Sequence, residues 1–176
     1  MKLRRRRALS ARRIALLSDS HGRVLPSVLA RLGELEVDLV VHAGDLGAKA
    51  VIRALRALAP LCAVAGNNDT PGQWPDGEAS VCLALPEALS IELAGGTLVV
   101  IHGHQFPVVA NRHARLRATF PTARCIVYGH SHRRCVDADA QPWVVNPGAS
   151  GRARAYDGAG GWLLTVSLDE WRIGTL

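Results

Sequence analysis

Histidine, aspartate and asparagine residues of this sequence follow short apolar runs instead of being scattered along the chain. Five of the seven histidines take part, and the whole set is Asp19, His21, Asp45, Asn67, Asn68, His102, His104, His130 and His132. Imidazole, carboxylate and amide-oxygen ligands together suit Mn²⁺, Fe²⁺ or Zn²⁺ better than they suit a thiolate-binding metal. The set is too large for one ion, whereas two ions that share Asp45 would use it. We therefore predict a site for two divalent cations.

Such a pair of cations is suited to reactions of phosphate groups. Two divalent ions bring more positive charge than two aspartates cancel. The remaining charge attracts a phosphate group and lowers the pKa of a bridging water towards neutrality. The residue types alone thus favour hydrolysis of a phosphate ester.

The apolar runs have the length of β-strands, and they position the polar residues. The runs cover residues 13–17, 38–41, 61–65, 97–101, 125–128 and 143–145. Runs of this kind are typical of strands buried on both faces in layered α/β proteins. Helical periodicity over 25–35 and 48–58 separates the first three runs, which predicts a parallel sheet with right-handed crossovers. The carboxyl ends of such strands meet at one edge, where the predicted ligands lie.

The later part of the chain has a different pattern, with a weaker helical signal over 108–119. Strands are expected at 81–85, 90–93, 97–101, 143–146 and 162–168, mostly without long helices between them. This spacing predicts a second sheet that contains antiparallel pairs. Residues 70–79, rich in proline, glycine and aspartate, are predicted to form a surface loop anchored by Trp74.

Three polar residues near these motifs are interpreted as structural. His42 is expected to be a buried, hydrogen-bonded residue, and Asp69 is expected to cap or orient the loop of Asn67. His113 stands among arginines in the third helical segment, so a solvent-exposed position is expected.

The basic residues are concentrated at the start of the chain. The net charge is +6, from 21 basic and 15 acidic residues, and seven of the basic residues lie within the first 13 positions. The rest of the chain is nearly neutral. We therefore expect residues 1–12 to be a mobile basic tail that catalysis does not need, and residues 13–176 to form the domain. Specific nucleic-acid binding is not expected, because neither aromatic interleaving nor a recognised binding motif accompanies the arginines.

The sequence predicts a cytoplasmic protein without a membrane anchor. After Arg13 the apolar run has only four residues, whereas the core of a signal peptide needs roughly 7–15. No apolar run approaches the roughly 18 residues of a membrane span. The four cysteines form no Cys-x-x-Cys motif and are expected to be reduced. A homo-oligomer is left open.

The ordered motifs resemble those of the calcineurin-like metallophosphoesterases, and in particular the compact YfcE-like phosphodiesterase branch. The motifs are Asp19-x-His21, Gly44-Asp45, Gly66-Asn67-Asn68-Asp69, His102-Gly103-His104, Gly129-His130-x-His132 and Asn146-Pro147-Gly148. The resemblance covers about residues 13–170. It implies a four-layer α/β/β/α sandwich, an α/β fold of two mixed sheets flanked by helices.

The resemblance also implies a role for each ligand. Asp19, His21 and His132 would hold one ion. Asn67, His102 and His130 would hold the other, and Asp45 would bridge the two. The implied activity is hydrolysis of a small phosphate ester by a metal-bridging hydroxide, with Asp45 and Asn67 in the catalytic centre. Mn²⁺ is the expected metal, with Fe²⁺, Zn²⁺ or Ni²⁺ as alternatives.

One position departs from the family pattern. Many members carry a histidine directly after the ligand asparagine, where it can protonate the leaving group, but this chain has Asn68, which cannot act as an acid. We expect Asn68 and His104 to face the substrate. His104 is a candidate for the missing acid, and support of a metal ligand is its alternative role.

A second function remains open on the same fold. Some relatives, such as the retromer subunit, act as protein-binding scaffolds and have lost metal ligands. Because all seven ligand positions are filled here, the sequence favours the enzyme over the scaffold.

Overall fold

The computed structural model describes residues 3–151 and 155–176 and contains two β-sheets that pack face to face. In chain order the elements are β1 Leu3–Arg7, β2 Arg13–Leu17, α1 Pro26–Glu34, β3 Leu39–His42, α2 Lys49–Arg56, β4 Leu61–Ala63, α3 Ala79–Leu83, β5 Ala88–Leu93, β6 Gly96–Ile101, α4 Arg112–Thr119, β7 Cys125–Val127, β8 Arg134–Asp137, β9 Trp143–Pro147, β10 Trp162–Val166 and β11 Trp171–Thr175. A 3-10 turn at Val109–Asn111 leads directly into α4. Lys2, which belongs to the basic segment, lies outside the described residues.

Both sheets are mixed. The five-stranded sheet has the order β11-β10-β2-β3-β4, in which β2, β3 and β4 are parallel while β10 runs antiparallel to β2 and to β11. The six-stranded sheet has the order β1-β5-β6-β7-β9-β8, with antiparallel pairs at β5–β6 and β8–β9. The predicted parallel sheet with helical crossovers and the predicted antiparallel pairs are both present.

Alternation along each strand divides the side chains between two apolar layers. In β2, Ile14 and Leu16 pack between the two sheets, whereas Ala15 and Leu17 face α1 and α2 on the other side. A third apolar cluster lies between the six-stranded sheet and α4, around Leu116 and Ile126. The layers are therefore helix, sheet, sheet, helix, which confirms the predicted four-layer fold.

The two crossover helices follow their sequence patterns. Val28 and Leu32 are the buried residues of α1, and Pro26 occupies its first turn, where a missing N–H costs nothing. In α2 the buried residues are Val51, Ile52 and Leu55. Burying one such side chain contributes about 1.5–3 kcal/mol, so each helix is held mainly by this face.

Two sequence expectations for the later elements are wrong or incomplete. Residues 81–85 were expected to be a strand, but 79–83 form α3, because a short apolar run does not by itself distinguish a strand from a helix. Strands β8 and β11 were not predicted. β8 is short and β11 carries mixed polar residues, so neither has the continuous apolar run that marks a buried strand.

The described part of the basic segment contains a strand where the sequence predicted a tail. Residues 3–7 form β1, which pairs in parallel with β5 at the edge of the six-stranded sheet. Its side chains are all exposed, so the strand is held by main-chain pairing, and the sequence pattern gave no sign of it. The segment that follows is also tied down, since Asp38 Oδ2 accepts hydrogen bonds from the backbone N–H groups of Arg12 and Arg13 at 2.8 Å.

We expect removal of residues 1–7 to lower the stability of the protein and to leave its hydrolytic activity in place. The truncation exposes one edge of β5, and each lost main-chain hydrogen bond is worth about 0.5–1.5 kcal/mol net. All the predicted metal ligands lie further along the chain. Thermal unfolding of the truncated and full-length proteins measures the difference, and an unchanged Tm or a complete loss of activity would contradict the expectation.

Candidate metal centre

The predicted ligands converge where strands of both sheets end. Asp19 and His21 follow β2, Asp45 follows β3 and Asn67 follows β4, all from the five-stranded sheet. The six-stranded sheet contributes the remaining ligands. His102 follows β6, and the loop after β7 carries His130 and His132. The site therefore straddles the boundary between the two sheets, and neither sheet contains it alone.

The backbone at this boundary is strained. Five of its residues have positive φ without being glycine: Asp19 at 51°, His21 at 44°, Asp45 at 55°, His130 at 68° and His132 at 56°. Such conformations cost on the order of 1–3 kcal/mol each and persist only where the surroundings enforce them. Among the described residues, only Glu36 shares this conformation, so the strain is concentrated at the ligand loops.

Asp45 occupies the centre of the ligand group. Its Oδ2 atom lies 3.7 Å from Nε2 of His21 and 3.5 Å from Nε2 of His102. The carboxylate is buried, with a relative exposure of 1%. It thus faces imidazoles on two sides.

One group of ligands lies on the His21 side. Nε2 of His132 is 3.3 Å from Oδ1 of Asp19 and 3.2 Å from Nε2 of His21. Ligand atoms of Asp19, His21, Asp45 and His132 all lie within 4.8 Å of one another, close enough for a single metal ion to contact them all.

The second group lies on the His102 side. Oδ1 of Asn67 is 3.2 Å from Nε2 of His102 and 3.0 Å from Nδ1 of His130. Nδ1 of His102 donates a hydrogen bond to the Ala43 carbonyl at 2.7 Å. In a neutral imidazole this leaves Nε2 as an acceptor, and it faces the oxygens of Asn67 and Asp45. Acceptors that face each other in this way fit a shared cation.

The electrostatics of the two aspartates differ. Burial raises the pKa of Asp19 to about 7, although Ser18 donates a hydrogen bond to its Oδ2 atom at 2.6 Å. Burial also acts against ionisation of Asp45, but contacts with His102 and Asn68 outweigh it and hold the pKa of Asp45 below its usual value. A buried anion among imidazoles is the environment that a divalent cation stabilises.

Two histidines beside His102, His130 and His104, favour their neutral form. For His102 itself, burial lowers the pKa, but Asp45 and Asp19 outweigh burial and raise it. Burial and the neighbouring His102 lower the pKa of His130 to about 4. The same two causes lower the pKa of His104. Metal ions bind the neutral imidazole, so the environment suits His130 to ligation.

The structure places Asn68 and His104 at different points of the site. Asn68 donates from its side chain to Oδ2 of Asp45 at 2.6 Å and from its backbone N–H to Oδ1 at 2.9 Å, so here it orients Asp45. The His104 ring lies 5.5 Å from the ring of His102 and 6.3 Å from that of His130, between centroids. Its Nδ1 atom is buried and has no hydrogen-bond partner among residues 3–151 and 155–176.

Asp69 and Trp74 have the structural roles that the sequence predicted for them. Asp69 accepts hydrogen bonds from the N–H groups of Leu46, Gly47 and Gly66 and from the Trp74 indole, which confirms that it orients the loops of Asp45 and Asn67. Trp74 is buried, as expected for a loop anchor.

The predictions for His42 and His113 have opposite outcomes. His42 is fully buried and hydrogen-bonded to Ser20 at 3.1 Å, as predicted. The exposed position predicted for His113 is wrong, because its ring bridges Asp137 at 2.7 Å and the Tyr128 hydroxyl at 2.9 Å. Asp137 lies on β8 and Tyr128 directly follows β7. The sequence pattern of the helix that carries His113 does not reveal that these residues are close to it. Ser18 was also missed, although it directly precedes Asp19 in the same turn.

The sequence pattern of the calcineurin-like phosphoesterase superfamily domain matches residues 13–169. The chain belongs to this family. A probable metallophosphoesterase of Methanothermobacter thermautotrophicus is 25% identical over 150 residues, which cover 82% of this chain and 80% of that protein. Probable metallophosphoesterase YsnB of Bacillus subtilis is 28% identical over 138 residues, covering 77% of this chain and 73% of that protein. The chain is thus a metallophosphoesterase.

One further relative agrees with this assignment, and two solved structures share the fold. A phosphodiesterase of Methanocaldococcus jannaschii is 25% identical over 146 residues, covering 77% of this chain and 82% of that protein. Among solved structures, Vps29 of Entamoeba histolytica complexed with zinc has a TM-score of 0.72 at 20% identity, covering 92% of this chain and 89% of that one. An archaeal phosphodiesterase has a TM-score of 0.66 at 21% identity, with coverage of 93% and 99%. Both structures share the fold.

No helix among the described residues is long and apolar enough to cross a membrane.

We expect Gly66→Ala to lower both metal content and activity by at least about tenfold, an effect of about 1.4 kcal/mol on the barrier. A Cβ atom at this position would lie 2.0 Å from Oδ1 of Asp45 and 2.5 Å from its backbone nitrogen, so the carboxylate must move. Metal content by plasma mass spectrometry and turnover of an aryl phosphodiester are the measurements.

Gly72→Ala is the matched control, because nothing lies within 4 Å of a Cβ atom built there. Equal behaviour of the two variants would contradict the placement of Asp45 against Gly66.

Proposed function

We propose that this metallophosphoesterase is a dinuclear phosphodiesterase that hydrolyses small phosphate esters and uses Mn²⁺, with Fe²⁺, Zn²⁺ or Ni²⁺ as alternative metals. The observation that carries the proposal is the position of Asp45. Its Oδ2 atom is 3.7 Å from His21 on one side and 3.5 Å from His102 on the other. One carboxylate therefore belongs to both ligand groups.

The ligand groups follow from these contacts. Asp19, His21 and His132 would hold one ion, and Asn67, His102 and His130 would hold the other. Bound ions would supply positive charge to the phosphate oxygens and lower the pKa of a coordinated water. The residues around the ligands hold and orient them.

The protein groups around the ligands keep them in place. The Ala43 carbonyl fixes the tautomer of His102, and Ser18 and the His130 N–H both hydrogen-bond to Asp19. Asn68 donates two hydrogen bonds to Asp45. Outer partners of this kind commonly change metal affinity or activity by about 10–100-fold when they are removed.

The preference for diesters is supported by the similar phosphodiesterase of Methanocaldococcus jannaschii. The cytoplasmic location stays a prediction.

Hydrolysis assays test the proposal. The purified protein, stripped with a chelator and then reloaded with Mn²⁺, is assayed on bis-p-nitrophenyl phosphate and on p-nitrophenyl phosphate. Activity that requires the metal and is higher on the diester supports the proposal. Equal or greater activity on the monoester would contradict the diester preference, and activity unaffected by chelation would contradict the metal dependence.

We expect Asp45→Asn to reduce kcat to below about a tenth of the wild-type value, a barrier increase of more than about 1.4 kcal/mol. The substitution removes the charge that both ligand groups share. Asp139→Asn is the control, because Asp139 is an exposed aspartate outside the ligand groups. A variant at position 45 with more than a tenth of the wild-type kcat would argue against a bridging role.

The replacement of histidine by Asn68 predicts a strong dependence on the leaving group. A p-nitrophenolate leaves without a proton, whereas an alkoxide needs one in the transition state. We therefore expect aryl diesters to be cleaved readily and alkyl diesters slowly. Measuring kcat/KM over a series of leaving groups tests this, and a flat dependence would show that another group supplies the proton.

Two variants distinguish a chain that lacks a leaving-group acid from one in which His104 is that acid. If the chain lacks an acid, Asn68→His should help alkyl diesters more than aryl ones. If His104 is the acid, His104→Ala should slow alkyl diesters selectively and Asn68→His should change little. The buried Nδ1 atom of His104 has no hydrogen-bond partner among the described residues, which makes His104→Ala the informative variant.

A further inference from the structure

A second concave site lies away from the metal ligands. A cavity of about 370 Å³ opens between β1 and β4, the edge strands of the two sheets, and α2 and α3 complete its walls. None of the predicted metal ligands lines it. Its volume falls within the range of roughly 300–1,000 Å³ that is usual for small-molecule sites.

The lining of the cavity divides into an apolar floor and a basic rim. Ile52, Leu61, Val81 and Leu89 are among the apolar residues. The charged residues of the lining are Arg4, Arg6 and Arg56, and no acidic residue from the described part of the chain lines the cavity. A guanidinium stays protonated in a protein, so the rim carries three positive charges.

These three arginines lack carboxylate partners among the described residues. The arginine ion pairs with carboxylates involve other residues, namely Arg7, Arg31, Arg117 and Arg172. Arg4 makes one hydrogen bond, from Nη1 to the Ala84 carbonyl at 3.3 Å, which holds it at the rim. Three positive charges around one opening attract an anion.

The direction of the arginines follows from the register of β1. Arg4 pairs with Leu89 and Arg6 with Ile91, and both partners belong to the apolar cluster between the sheets. Side chains alternate along a strand, so Arg4 and Arg6 lie on the inner face and line the cavity, whereas Arg5 does not. Inward-facing charges can protect an edge strand from pairing. That role does not require a third arginine from α2.

We propose that this cavity is a binding site for a small organic phosphate with an apolar body. Guanidinium groups bind phosphate oxygens in a bidentate manner, and the apolar floor would take the rest of the molecule. Arg4 and Arg6 precede the residues 13–169 that match the family pattern. The site is therefore built in part by a segment outside the shared domain.

The cavity is connected to a metal-ligand loop through the backbone. Pro86, which lines it, accepts a hydrogen bond from the N–H of Ala65 at 2.8 Å, two residues before Asn67. A ligand that contacts Pro86 thus lies one hydrogen bond away from that loop.

Calorimetric titration with phenylphosphonate tests the site, because this probe combines a dianionic group with an apolar ring and has no ester bond to hydrolyse. The full chain is titrated after chelator treatment and again with Mn²⁺, so that binding at the metal centre is recognised by its metal dependence. The double variant Arg4→Gln/Arg6→Gln is expected to bind the probe at least about tenfold more weakly in the metal-free state, because two charge-assisted contacts are lost.

The matched control is Arg5→Gln/Arg7→Gln, which removes the same charge from the same strand. It is expected to change the affinity less than about twofold, since neither Arg5 nor Arg7 lines the cavity. An equal loss in both double variants would show general attraction to the basic strand and would overturn the proposal. Wild-type protein that binds no probe without metal would overturn it as well.

Thiol protection gives a second measurement on the unmodified chain. Cys62 lines the cavity, whereas the similarly half-buried Cys135 lies outside it, and both are free thiols. Phenylphosphonate is expected to slow the alkylation of Cys62 by iodoacetamide and to leave Cys135 unaffected, as followed by peptide mass spectrometry. Equal rates at Cys62 with and without the probe would contradict occupancy of the cavity.

Discussion

A buried carboxylate that must remain ionised governs the organisation of this protein. Asp45 is 1% exposed, and removing an anion from water is costly unless positive or hydrogen-bonding groups replace the solvent. His21 and His102 approach it from two sides, and Asn68 supplies two hydrogen bonds. Imidazoles satisfy a buried anion only in part, whereas a divalent cation on each side would satisfy it fully.

The arrangement of the two sheets follows from this constraint. Asp45 and His21 follow strands of the five-stranded sheet, whereas His102 follows a strand of the six-stranded one. A shift of one sheet against the other would separate these residues, so the apolar cluster between the sheets fixes the geometry of the site. Close contacts between the ligand loops also fix the geometry of the site. A Cβ atom on Gly129 would lie 1.9 Å from Oγ of Ser18, which shows how tightly the loops of the two sheets meet.

The sequence predicted the strands and site residues that have a continuous local pattern. Apolar runs that end in polar turns gave β2, β3 and β4 and the side chains that follow them. Features that depend on distant pairing were missed. The arginines of β1 carry no apolar signal, and only the free edge of β5 makes them a strand. His113 meets Asp137 and Tyr128 through contacts that its own helix does not encode.

Anomalous X-ray diffraction from crystals grown with Mn²⁺ tests the central claim most directly. The account predicts two manganese peaks roughly 3.5–4 Å apart, with the Asp45 carboxylate between them. Asp19, His21 and His132 would surround one peak, and Asn67, His102 and His130 would surround the other. A single peak at full occupancy, or an Asp45 side chain turned away from both ions, would contradict a shared carboxylate at the centre of the site.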